Sequence, residues 1–490
     1  MKREDLSQAV SRREFLKKTG EAAGAALAGS ILPFSCRRMP YLNILWIIAE
    51  DICPDLGCYG NRFVHTPNIN KLAAEGVTFK NAFTTSPVCS PSRSALMTGM
   101  VQTSIGAHNH RSHRSDEYRL PHPVRPITDY FREAGYFTAN VTEPAPGVKV
   151  RGKTDLNFTV DKLFDGAHWN QRQPGQPFYA QINLPWTHRR FVRNAQHPTD
   201  PETIELPPYY ADHPITREDW ALYYDTIAIL DQNIGLIMKQ LQEEGFLGNT
   251  VIFFFGDNGR PHFRGKQWLY EGGIHVPLVV RWPDKRRAGD VNEGPVSAVD
   301  ITATSLYLAG IKVPEHMQGQ NFLGPKGKNR DYVIAARDRC DETVDRIRCV
   351  RTKRYKYIRN YYPDRPYTQL NRYKESEYPV LRLMKRLNAE NKLTPEQALF
   401  FAPNRPPEEL YDLQNDPHEV KNLVDNPKFE EKLIGLRQVL DAWIDETGDQ
   451  GGIPEDPSVV AFYLERMKRN YDERIRARYK EENMSLEFFK

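Results

Sequence analysis

The sequence predicts an α/β protein: a large central mixed sheet flanked by helices, then a smaller C-terminal antiparallel sheet with a packed helix. Three observations predict it. Two predominantly apolar runs, residues 42–49 and 250–255, lie about 200 residues apart, and each is followed by oxygen-bearing side chains, Glu50-Asp51 and Asp257-Asn258. Buried strands of open α/β sheets deliver polar groups into a crevice in this way. Helical patterns alternate with further apolar runs up to about residue 325, and beyond it short alternating strands take over. At 490 residues the chain can bury one large domain and a smaller one. We divide it into a targeting segment (1–40), a catalytic α/β domain (41–325), an α+β subdomain (326–450) and a charged tail (451–490).

Ser11-Arg12-Arg13-Glu14-Phe15-Leu16-Lys17, followed by an Ala/Gly-rich stretch from Ala22 to Leu32, reads as a twin-arginine signal. The apolar part is too short for a membrane span, so the expectation is export to the periplasm or beyond. Cys36 as a lipid-attachment site ranks behind soluble export. The six cysteines include no C-x-x-C pair, which argues against a disulfide scaffold or a zinc site; Cys53/Cys58 and Cys340/Cys349 could each pair in an oxidising compartment. A formal net charge of +4 gives no warrant for nucleic-acid binding.

After the first strand, residues 66–76 read as a short helix stopped by Gly76, and 77–83 as a strand leading to Cys89-Ser90-Pro91-Ser92-Arg93. Pro91 suits the first turn of a helix, so Cys89 sits just before a helix start. Free backbone N–H groups there favour an anion, and Arg93 adds a forked cation. The loop 106–114 carries His108, His110 and Arg111 without helical or strand periodicity; it reads as substrate-facing, with a plain solvated loop as the alternative. Residues 127–135 predict a helix, 136–141 and 178–184 strands. Thr216 is the expected cap of a long helix whose Trp220, Tyr224, Ile227, Ile234, Met238 and Leu241 keep a 3.6-residue period up to Gly245. Glu50, Asp51, Asp257 and Asn258 together, with no thiolate at the strand ends, suit a hard divalent cation, Ca²⁺ or Mg²⁺.

Residues 332–336, 347–350 and 355–358 read as short strands, and Arg337-Asp338-Arg339 as a charged turn that could overhang the site mouth. A helix with Phe429, Leu433, Leu436, Leu440 and Trp443 on one face packs on that sheet. From Pro454 the charged tail reads equally as an extended arm or a partner-binding helix.

Cys89-Ser90-Pro91-Ser92-Arg93, continued by Ser94 to Gly99, resembles the signature of the type I sulfatases of the alkaline phosphatase superfamily. The resemblance spans about residues 41–445. It includes the segments 257–273 and 296–309, the latter as the helix that closes the large domain. It implies an alkaline phosphatase-like fold and a Cys89 oxidised to formylglycine by a maturation enzyme, in contact with the metal. It also implies Lys153, His188 and Lys266 at the sulfate beside Arg93, with His188 as the acid for the leaving group. Asp155 stands where the family carries histidine, and Glu50 where aspartate is usual. The overall look is nearest the heparan N-sulfatase (sulfamidase) branch, although that branch has arginine where Lys266 stands. The implied substrate is a sulfated glycan, with an N- or O-sulfated glucosamine unit of heparan type as the specific expectation. The rival readings are a phosphonate or phosphate monoester hydrolase of the same superfamily, and a non-catalytic exported glycan-binding protein.

Overall fold

Strand β1 (Asn43–Ala49) is buried along its whole length and lies between two parallel partners, β5 (Phe178–Leu184) and β6 (Thr250–Gly256). The register sets Ala49 opposite both Leu184 and Gly256, so the three strands end level. The computed structural model describes residues 42–114 and 116–486; the arginine-pair pattern at 11–17 and Cys36 lie outside them. The main sheet has seven strands in the order β4-β5-β1-β6-β8-β2-β9, with β4 (Phe137–Val141), β8 (Leu278–Arg281), β2 (Val77–Phe79) and β9 (Asp290–Asn292). β8 runs antiparallel to β6 and to β2, so the sheet is mixed, as expected.

Alternation along these apolar strands makes two cores. Leu45, Ile47, Ile252 and Phe254 face the Pro67–Ala74 and Pro214–Glu243 helices through Ile69, Leu72, Trp220 and Ile227. Ile44, Trp46, Val251 and Phe253 face the Cys89–Thr98, Ile127–Glu133 and Ala298–Leu308 helices through Leu96, Phe131 and Ile301. A strand covered on both sides has no polar face, which is why it reads as an unbroken apolar run. Trp46 meets Tyr179 and Phe255 edge-on, at ring separations of 5.2 and 5.6 Å, and its indole N–H donates to Ser305 Oγ at 2.9 Å. Truncating such a side chain to alanine costs about 3–5 kcal/mol.

Three local expectations are corrected. The run 77–83 is two strands: β2 stays in the main sheet, while β3 (Ala82–Phe83) joins β7 (His275–Val276) and β10 (Val296–Ser297) in a separate three-stranded sheet. Polar Lys80 and Asn81 mark the break. The long helix is capped by His213, whose Nδ1 accepts the Ile215 N–H at 3.2 Å, because Pro214 fills the first position and Thr216 is buried one turn in. Residues 296–309 begin as β10, and Ser297 with Asp300 then caps the helix reciprocally.

The C-terminal sheet is antiparallel, β11 (Tyr332–Arg337), β12 (Ile347–Thr352), β13 (Tyr355–Asn360) and β14 (Glu408–Asp412). Leu433, Leu436 and Leu440 of the Glu430–Thr447 helix pack on Ile334, Val350, Tyr357 and Leu410. Arg337, Asp338 and Arg339 do not form a solvated turn over the site; all three are buried. Arg337 pairs with Asp345 at 2.9 Å, and Asp338 with Arg348 at 3.0 Å. The tail is a helix, Pro457–Glu481, docked on its own chain: Tyr463, Met467, Ile475 and Tyr479 are buried, and Asp472 pairs with Arg372 at 2.7 Å. All described residues belong to one compact unit. All five described cysteines are free, so neither foreseen pairing forms. Among the described residues no helix is long and apolar enough to cross a membrane.

Candidate active site

The level ends of β1, β5 and β6 build the site. Asp51 follows β1 in a left-handed conformation (φ 50°), and its N–H donates to Asp257 Oδ1 at 3.0 Å. The Asp257 N–H returns to the Ala49 carbonyl at 3.1 Å, and the Ile52 N–H reaches the Asn258 carbonyl at 2.8 Å. These bonds lock two acidic turns, far apart in sequence, into one rim. Gly259 and Gly273 let the chain after β6 fold back tightly, since a Cβ at Gly273 would stand 2.0 Å from the Trp268 carbonyl oxygen.

Cys89 is the first residue of the buried Cys89–Thr98 helix, capped by Val88 and closed by Gly99 in a left-handed conformation. Arg93 lies one turn on. Its Nε donates to Asp257 Oδ2 at 2.9 Å, and its Nη1 to Asn183 Oδ1 near the end of β5. Ser92 Oγ donates to the Asp257 carbonyl at 2.5 Å, stitching the helix to the rim. Lys266 completes the arrangement: its Nζ stands 2.8 and 2.7 Å from the two Asp51 oxygens and 3.3 Å from Cys89 Sγ. Cys89 Sγ is 3.8 Å from Asp51 Oδ1. Lys153 Nζ donates to Glu50 Oε2 at 2.8 Å, and His188 Nε2 lies 3.8 Å from Asp51 Oδ2.

Thus the structure brings Glu50, Asp51, Cys89, Arg93, Lys153, His188, Asp257, Asn258 and Lys266 together. Asp155 also joins them, 3.9 Å from Lys153 and 3.7 Å from Arg111 Nε. His110 lies beside this group but is buried against Asp341, with Nδ1 3.1 Å from Oδ1. His108 does not join: it is buried and senses Asp338 and Arg348 of the C-terminal sheet, so its expected place on the substrate side is corrected. Sequence reasoning missed Asn183 and Arg114. Asn183 could have been found as the polar residue interrupting the apolar run of β5, and Arg114 by its place in the basic loop.

Burial alone would raise the Asp51 carboxyl, but Lys266 together with His188 and Lys153 outweighs it and holds the pKa at about 2. Glu50 is likewise held below its ordinary value by Lys153 against the effect of burial. Burial pushes the Cys89 thiol up to about 11, beyond what Lys153 and Lys266 can offset. Asp51 and Glu50 are therefore ionised, whereas burial raises the Asp257 carboxyl above its ordinary value against the pull of Arg93, and an unaltered Cys89 would be a neutral thiol and a poor nucleophile.

The rim presents oxygen donors to a divalent cation. Among the described residues no three His, Cys, Asp or Glu side chains form a closed metal-binding cluster, because Lys266, Arg93 and Lys153 stand between the carboxylates. However, Asn258 Oδ1 is buried with no hydrogen-bond partner at a rim otherwise made of Asp51, Asp257 and Glu50 oxygens. An amide oxygen left unsatisfied among carboxylates fits a hard cation that takes oxygen ligands only.

Comparison with known proteins agrees with this geometry. The sulfatase family model matches residues 42–311, and that of the N-sulphoglucosamine sulphohydrolase C-terminal region matches residues 259–378. An ulvan-active sulfatase of Formosa agariphila is 36% identical, over 84% of this chain and 76% of that protein. The human N-sulphoglucosamine sulphohydrolase is 28% identical, over 84% and 92%. A solved structure in complex with its substrate, D-glucosamine-2-N,6-O-disulfate, superposes with a TM-score of 0.60 at 17% identity, over 84% of this chain and 98% of that one, which shows a shared fold. The chain belongs to the sulfatase family, whose members hydrolyse sulfate esters or sulfamates.

Proposed function

We propose that the protein is an exported glycan sulfatase that removes an N- or O-linked sulfate from a sulfated saccharide of heparan type. One observation carries the reading: Cys89 opens a buried helix with its sulfur 3.3 Å from Lys266 Nζ and 3.8 Å from Asp51 Oδ1. A plain thiol there would trap sulfate as a thiosulfate ester. We therefore assign Cys89 as the site of oxidation to formylglycine, whose hydrated aldehyde supplies the attacking oxygen. Glu50, Asp51, Asp257 and Asn258 would hold Ca²⁺ or Mg²⁺, which supplies a fixed positive charge at the sulfuryl group.

The chain's own residues do the rest. Lys266, Lys153 and Arg93 neutralise charge growing on the sulfuryl oxygens; because each is already fixed by a carboxylate, little reorganisation is needed. His188 Nδ1 is held by the Arg189 carbonyl at 2.7 Å, which leaves Nε2 to carry a proton to the departing oxygen or nitrogen. The Thr187 hydroxyl donates to the Glu50 carbonyl and keeps that loop against the rim.

Two measurements test this. Mass spectrometry of the Cys89 peptide from the exported protein is expected to show formylglycine, and a thiol throughout would remove the mechanism. The enzyme should release 4-methylumbelliferone from its sulfate, lose that activity to a chelator and regain it with Ca²⁺ or Mg²⁺. A strong preference for the phosphate ester would assign the protein to phosphoryl transfer instead.

A further inference from the structure

The loop that follows the catalytic helix carries two cations that the sulfate chemistry does not use. Arg111 and Arg114 converge on a single carboxylate, Asp155. Arg114 Nη2 lies 2.6 Å and Arg111 Nε 3.7 Å from the same Oδ1. The carboxylate is mostly buried, whereas the two guanidinium side chains remain 35% and 36% exposed. Asp155 thus serves two arginines; Lys153, 3.9 Å away, is paired with Glu50 at 2.8 Å, and Arg111 also lies in the field of Asp341. Both arginine side chains remain partly open to solvent beside the reaction centre.

The arrangement is built rather than incidental. The Arg111 N–H donates to Ser90 Oγ at 2.7 Å, which ties the residue to the position next to Cys89. The Tyr463 hydroxyl of the Pro457–Glu481 helix donates to the Arg111 carbonyl. Arg111 holds a left-handed conformation (φ 57°), which an arginine adopts only when its surroundings fix it. The loop is clamped on the other side as well: the Asn157 amide donates to the Ala107 and Asn109 carbonyls at 2.9 and 2.7 Å, and the His110 N–H reaches the Arg339 carbonyl at 2.9 Å. Asp155 accepts a hydrogen bond from Arg114 and stands at ion-pair distance from Arg111, which leaves donors of each guanidinium group unused. A planar fork held in place with spare donors matches a carboxylate or sulfate oxygen pair.

We infer that Arg111 and Arg114, oriented by Asp155, form a second anion subsite that recognises another negative group on the same saccharide as the scissile sulfate. Asp155 and Tyr463 act as positioning residues. This inference rests on the sulfatase reading and narrows the substrate to saccharides with at least two anionic groups, the second within a sugar's reach of the first. The second group is a carboxylate of a neighbouring uronate or a further sulfate.

The test compares kcat/KM of the matured enzyme on four substrates. These are a sulfated disaccharide carrying a uronate, its carboxyl-reduced counterpart, a disaccharide with a second sulfate in place of the uronate, and 4-methylumbelliferyl sulfate. The wild type should prefer one or both dianionic disaccharides over the reduced one by tenfold or more. Whichever dianion wins identifies the group recognised. Arg111→Lys/Arg114→Lys, which keeps a cation beside Asp155 but removes both planar forks, should reduce that preference at least threefold through KM, with kcat and the aryl sulfate rate within about twofold of wild type. Tyr463→Phe should weaken the preference in the same direction. Equal rates on the dianionic and reduced disaccharides, or an equal loss on aryl sulfate and disaccharides in the double variant, would overturn the subsite. Absence of turnover on every sulfate, aryl sulfate included, would instead overturn the underlying assignment.

Discussion

Lys374 offers a sharp test of the electrostatics behind the site. It lies in the Arg372–Glu377 helix, is buried, and its Nζ donates to the Lys266 carbonyl at 2.9 Å, so it props the turn that carries Lys266. Burial, reinforced by the nearby Arg337 cation, pushes its ammonium from an ordinary 10.5 down to about 7. In the unfolded chain the amine still binds its proton up to the ordinary value. Between about pH 7 and 10.5 the unfolded state therefore holds a proton that the folded state has released, and stability rises with pH across that window. Below pH 7 the folded state must carry the buried cation, a penalty on the order of 5 kcal/mol for a displacement of this size. Lys374→Met removes the penalty and loses one hydrogen bond worth about 1 kcal/mol. The variant should unfold at a higher denaturant concentration than the wild type at pH 6, and its advantage should be about 3 kcal/mol smaller at pH 9. Urea titrations followed by tryptophan fluorescence at pH 6, 7.5 and 9 measure this. An advantage that stays constant or grows with pH would show that Lys374 does not titrate as its surroundings require.

Further outcomes follow from buried pairs and tight turns. Arg93→Met leaves Asp257 as an uncompensated buried carboxylate, so thermal unfolding should show a loss of about 3–5 kcal/mol alongside abolished sulfate release. Gly273→Ala forces a Cβ onto the Trp268 carbonyl, and circular dichroism melts should show strong destabilisation or failure to fold. Gly435→Ala, in the exposed middle of the Glu430–Thr447 helix where a Cβ meets nothing, should instead stabilise by about 0.5–1 kcal/mol.

The parts of the fold that could be read from sequence are those where one physical demand dominates. β1, β5 and β6 are buried on both faces, so Asn43–Ala49, Phe178–Leu184 and Thr250–Gly256 appear as apolar runs bounded by polar ends. The rim residues appear with them, because parallel strands must deliver their ends to one edge. Features decided by tertiary partners did not appear. His213 is a weak capping residue until Pro214 fixes the helix start. Arg337 and Arg339 look solvated until Asp345 and Glu455 are found beside them. The tail's buried positions, Tyr463, Met467, Ile475 and Tyr479, are too sparse among charges to mark a docked face without the Arg372 and Arg382 ion pairs that hold it. Asp155 was an anomaly against a family pattern, and its partners Arg111 and Arg114 give it a physical reason.

The adjacency of β1 and β6 also sets a clock. Asp51 meets Asp257 only after a segment of about 200 residues has been closed into a loop, whose entropy cost is about 5 kcal/mol before any strand pairing rewards it. A chain emerging from the ribosome exposes Cys89 long before it contains Asp257, Asn258 or Lys266. At ordinary synthesis rates the interval is roughly 10–30 s. In the finished fold that cysteine is 1% exposed. The thiol is therefore open to chemistry during this interval, and the closing of β6 against β1 ends it.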